Sequence, residues 1–94
     1  MIVYDVLTRS PQGVVVGGTD ENVVDVSESR LRELIGKDVQ IERQDRSRVP
    51  VKVLGVETTT AISGARNVFL LLPIESGIGR GDLGATVLSE EGAL

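Results

Sequence analysis

At 94 residues the chain has room for one domain with a thin core, and fourteen acids against ten bases leave a net charge of −4, the wrong sign for wrapping a phosphate backbone. It contains neither histidine nor cysteine, which removes the Ser-His and Cys-His nucleophile pairs, the usual zinc ligands and any disulfide staple. Tyr4 and Phe69 are its only aromatics, so RNA is disfavoured as a partner by charge and by the lack of rings on which bases stack.

Valine and isoleucine gather in short runs separated by glycine, serine, asparagine and aspartate, the pattern of a many-stranded antiparallel domain. Ile2 to Leu7 reads as a first strand, Arg9 to Gly13 as a turn, and Val14 to Val16 as a second strand that ends or bulges at Gly17-Gly18. Val23 to Val26 reads as a short third strand. The only helical signal is Ser27 to Ile35: Ser27 as cap, Glu28 in the first turn, Leu31, Leu34 and Ile35 on one stripe, and Gly36 as the stop. At about two turns this helix cannot hold itself together in water, so the stripe is expected to pack on the strands while Arg30, Arg32 and Glu33 face solvent.

Val39 and Ile41 alternate with Gln40 and Glu42, and Val49 to Val53 alternates again, running on to Val56, with Pro50 pointing to a sheet edge. Thr58 to Asn67 reads as the longest loop. Val68 to Leu72 does not alternate, which implies burial on both faces or a cover, and Phe69 within it reads as core. Ala85 to Leu88 is the last strand and Ser89 to Leu94 an acidic tail expected to fray. The expected fold is all-β: a small closed or partly open antiparallel β-barrel of six to seven strands with one short helix, residues 1–94 forming a single domain. No apolar run is long enough to span a bilayer and the first residues do not read as a signal peptide, so the expectation is a soluble, cytoplasmic protein without membrane contact.

The segment Gly77 to Gly84, GIGRGDLG, matches GxGxxG and contains an RGD tripeptide. A dinucleotide fingerprint needs a following helix and an acid about 20 residues on. Here a short β-branched segment follows instead, and a P-loop is excluded because no Gly-Lys-Ser/Thr occurs. The segment therefore reads as a turn whose glycines permit positive φ. Asp20, Glu21 and Asp25 do not form a calcium loop, and Thr58, Thr59, Thr60 and Ser63 offer hydroxyls without a base to activate them.

Two segments stand out as contact candidates. Arg43, Arg46, Arg48 and Lys52 form the densest basic cluster, interleaved with Glu42 and Asp45; Thr58, Thr59, Thr60 and Arg66 lie within the expected long loop.

Leu54-Gly55-Val56-Glu57, the apolar Val68 to Leu72 and Ile78-Gly79-Arg80-Gly81-Asp82-Leu83 together resemble the second half of the β-barrel found as domain II of elongation factor Tu and related translational GTPases. Gly13 to Gly18 and Leu34 to Ile41 are similar to strands of its first half, although Thr19 to Glu33 is longer than the family's link. The resemblance implies the barrel, with Arg80-Gly81-Asp82 as a barrel-closing turn; it does not by itself imply a function. The residues as a whole lead to an expectation of a non-catalytic binding or assembly module that contacts a protein partner or a second copy of itself, with no catalytic, cofactor or metal residues. A translation-associated or RNA-contacting factor is the alternative.

Overall fold

Alternation decides which way each strand faces. In the computed structural model, which describes residues 1–9, 13–19, 28–60, 66–89 and 92–93, alternate residues of the regular runs enter one core, as Val14 and Val16, Val39 and Ile41, and Val68, Leu70 and Leu72 do. The strands are β1 (Ile2–Arg9), β2 (Gly13–Thr19), β3 (Asp38–Glu42), β4 (Arg48–Lys52), β5 (Gly55–Thr60), β6 (Arg66–Leu72), β7 (Thr86–Ser89) and β8 (Gly92–Ala93). All ladders are antiparallel, along the path β4–β3–β7–β1–β2–β6–β5 with β8 on β7, and helix α1 (Glu28–Arg32) lies between β2 and β3 in sequence. Val3, Val16, Val39, Ile41, Val53, Leu70, Leu72 and Val87 are essentially inaccessible to solvent. Each such side chain contributes about 1.5–3 kcal/mol of burial, which is how so small a domain offsets its ordering entropy.

The path has two ends, yet they belong to one run of chain. Both edge strands, β4 and β5, point the same way, because six antiparallel steps separate them, and only Val53 and Leu54 lie between them. One long strand therefore pairs with β3 along its first half and with β6 along its second, so the sheet is a barrel closed through the chain rather than through a ladder. Val53, at the crossing, would lose both partners there. Instead its N–H donates to the Lys37 carbonyl (2.9 Å) and its carbonyl accepts from the Gly36 N–H (2.8 Å), so the segment after α1 mends the seam. Leu31 of α1 is 2% exposed and belongs to the core cluster. Pro50 sits on the β4 edge, where a missing donor costs no ladder bond.

Several expectations change. The helix spans Glu28–Arg32 only; Leu31 and Leu34 pack inward and Arg30, Arg32 and Glu33 are exposed, but Ile35 is 44% exposed because Gly36, in the left-handed region (φ 84°), has already turned the chain into its bridge with Val53. The double glycine neither ends β2 nor bulges. The irregularity lies opposite, where Tyr4 is the extra residue between Val3↔Gly18 and Asp5↔Gly17. Thr58 to Thr60 and Arg66-Asn67 are strand, paired in register, rather than loop. Gly92–Ala93 pair back onto Leu88 and Ser89 where a frayed tail was expected. The expected strand at Val23 to Val26 and the Ser27 cap fall outside the described residues.

Candidate binding face

β6 is apolar on both faces. Val68, Leu70 and Leu72 point into the core, and Phe69 and Leu71 point out and stay half-buried. Phe69 is thus not a core residue: strand parity places it outside, between two fully buried neighbours. It is sheltered there because the facing residue is glycine. A Cβ on Gly17 would come within 2.9 Å of the Phe69 ring edge, so the bare backbone of β2 forms a seat for the ring. Gly18, one position on, faces inward and leaves room for Met1, whose Cγ would lie 2.3 Å from a Cβ there.

Register assembles the rest of the outer face. One cross-strand row reads Asp5–Gly17–Phe69–Glu57 and the next Leu7–Val15–Leu71–Gly55. Asp5 lies on the same side as Phe69, its Cβ 3.7 Å from the position a Gly17 Cβ would take. Between this face and α1 runs a groove of about 330 Å³, lined by Val15, Phe69, Leu71, Gly55, Val56 and Glu57 with Arg32 and Ile35 on the helix side. The upper border is polar: the Tyr4 hydroxyl donates to Asn67 Oδ1 (3.2 Å), and Asn67 Nδ2 donates to Thr59 Oγ1 (3.4 Å). Leu7 and Tyr4 are 41% and 50% exposed, so apolar surface continues past the groove onto β1. Both aromatics of the chain are on this outer face.

The two expected contact segments are not brought together. Arg48 opens β4 and Thr60 closes β5, at opposite ends of the run that the two strands share. Within the basic cluster Arg43 is committed: its Nε donates to Asp82 Oδ1 at 2.6 Å. Arg48 reaches its cross-strand neighbour Glu42 at 3.4 Å, Arg46 occupies the left-handed position (φ 67°) of the β3–β4 turn, and Lys52 stands in register with Asp38 at the far end of β4. Of the second segment, Thr58, Thr60 and Arg66 sit in the β5–β6 ladder, and Thr59 joins the polar border of the outer face by accepting from the Asn67 side-chain amide.

The RGD tripeptide is structural. Arg80–Asp82 forms a 3₁₀ turn in which Asp82 N–H donates to the Gly79 carbonyl while Gly79 N–H donates to Asp82 Oδ2 (3.0 Å). Asp82 is 7% exposed and holds Arg43, and Gln44 covers Gly84, which adopts φ 87°. The turn is thereby fastened to the β3–β4 hairpin, and an RGD whose aspartate is buried and paired is not presented for recognition. In the GIGRGDLG segment positive φ is used by Gly77 and Gly84, while Gly79 is extended.

Among the described residues no group of three or more carboxylates is placed to hold a metal ion, and no helix is long and apolar enough to cross a membrane. No protein-family model matches the chain, and no curated protein or solved structure matches it. The outer face is therefore described by its own geometry: an apolar floor, a polar border and two carboxylates. Nothing local in the sequence marked Asp5, Gly17 and Glu57 as parts of one face; the non-alternating run at Val68 to Leu72 was the one pointer to this surface.

Proposed function

We propose that the protein is a non-catalytic binding module that contacts a protein partner through the outer face of β1, β2, β6 and β5. The observation that carries this reading is the outward apolar row Leu7–Val15–Leu71 beside Phe69, on a strand whose other face already fills the core. The alternative, a translation-associated or RNA-contacting factor, rests on the resemblance to domain II of elongation factor Tu and on the basic cluster. Commitment of Arg43 to Asp82 and dispersal of the other cations weaken it.

The test compares affinity capture by the tagged wild-type chain with capture by Leu71→Ser and, as a more exposed substitution, Leu7→Ser, after nuclease and at low salt. A stoichiometric protein retained by the wild type and lost by both variants, with circular dichroism unchanged, is the expected result. Capture that nuclease abolishes, or that neither variant weakens, would overturn it.

A further inference from the structure

Resting on that reading, we infer that the outer face takes a protein segment carrying an apolar side chain with a basic residue two positions to either side. The row that seats Phe69 is bounded at both ends by carboxylates, Asp5 on β1 and Glu57 on β5. Neither has a side-chain partner among the described residues, and Glu57 is exposed. Arg32, the cation in the groove wall, already has an interaction of its own. Two carboxylates thus flank the apolar floor, with Arg32 on the helix side of the groove, in a chain of net charge −4.

The spacing defines the complement. Asp5 and Glu57 are three strand spacings apart, about 14 Å. An extended pentapeptide places its first and fifth Cα atoms about 13 Å apart, and its first, third and fifth side chains point the same way. A basic–x–apolar–x–basic segment laid across the strands therefore sets its central side chain against Phe69 and Leu71 and its two cations over the two carboxylates. A second copy of this chain fits less well, because two faces of like charge would meet.

The experiment titrates the isotope-labelled full chain with capped pentapeptides up to millimolar concentration and follows its backbone amides by NMR. The probes are Lys-Ser-Leu-Ser-Lys, its glutamate counterpart Glu-Ser-Leu-Ser-Glu, the reordered Lys-Lys-Ser-Ser-Leu, and Lys-Ser-Ser-Ser-Lys without the apolar anchor. Expected are shifts at Gly17, Glu57, Phe69 and Leu71 from the first peptide, with affinity about tenfold above the glutamate form, since exposed ion pairs give roughly two- to fivefold each. Asp5→Asn with Glu57→Gln should erase that preference and leave the requirement for leucine. Equal binding of both charge forms would overturn the charge assignment and leave the protein-binding reading standing. Absence of any leucine-dependent shift on this face would overturn both. Shifts of the same amides on concentrating the protein alone would show a second copy seated there and overturn the inference.

Discussion

The two faces of β6 differ little in composition and greatly in circumstance. Val68, Leu70 and Leu72 are closed over by the barrel, whereas Phe69 and Leu71, equally apolar, rest on a glycine-bared strand with open space beside them. Apolar character alone therefore does not mark a core; a cover does, and within the described residues the outer face has only α1 along one side. On the proposed reading the inner row answers to stability and the outer row to binding, and substitutions should separate them. Leu70→Ala removes a fully buried side chain and should cost about 2–5 kcal/mol. Phe69→Ser should cost less, about 1–2.5 kcal/mol, since the ring keeps part of its surface in water, yet abolish partner capture. Chemical denaturation of both variants checks the pair, and equal losses would erase the distinction between the faces.

Adjacent glycines on β2 sharpen the same contrast at smaller scale. Gly18→Ala drives a methyl toward Met1 and to within 2.7 Å of the Ile2 carbonyl oxygen, which cannot swing away, and should cost about 1–3 kcal/mol. Gly17→Ala meets only the edge of the Phe69 ring, at 2.9 Å, which is free to tilt outward. Its stability should fall by less than that of Gly18→Ala, while the fluorescence of a Trp substituted for Phe69 should report the altered seat.

A third region behaves like neither face. The Arg43–Asp82 pair is polar but buried on one side only: the aspartate is inaccessible and the arginine side chain 36% exposed. Arg43→Ala leaves a buried carboxylate held only by the Gly79 amide and should cost about 1–2 kcal/mol, reduced from the fully buried case by the solvent that reaches the guanidinium. For a domain of this length that is a fall in Tm of roughly 4–16 °C, measured by thermal melting. An unchanged Tm would mean that the RGD turn is not fastened through this pair.

Much of this was legible in the chain and some was not, for a physical reason. Alternation at Val39 to Glu42, the proline at the edge, the run from Val49 to Val56 and the short helix are local patterns, and they led to an antiparallel barrel with one helix, which is what the structure has among the described residues. The candidate face depends on register between β1, β2, β6 and β5, whose partners lie far apart in sequence. No local pattern states that Gly17 will face Phe69, or that Asp5 and Glu57 will bracket it. The basic cluster is dispersed for the same reason. Its arginines are neighbours in sequence, but Arg43 is taken by an aspartate 39 residues away.

The smallest effect lies at the β3–β4 turn, remote from either face of β6. Asp45 Oδ1 accepts from the Ser47 hydroxyl (2.6 Å) and from its backbone N–H (2.9 Å), and these bonds, the hydroxyl first, hold the Asp45 carboxyl below the usual aspartate range. A carboxyl lowered in the folded state contributes stability that is complete above its ordinary titration and is lost as the pH falls through the lowered value. Ser47→Ala removes the hydroxyl contribution and should lower Tm slightly at neutral pH and not at all at acid pH, which flattens the acid limb of a Tm-against-pH profile; the drop is small because Asp45 is fully exposed. Since this turn touches neither the core row nor the outer row, the variant should also bind the basic pentapeptide as the wild type does. Loss of that binding would mean that the hairpin tip and the outer face are coupled, and that the contrast between covered and uncovered surface is not the division that governs recognition in this protein.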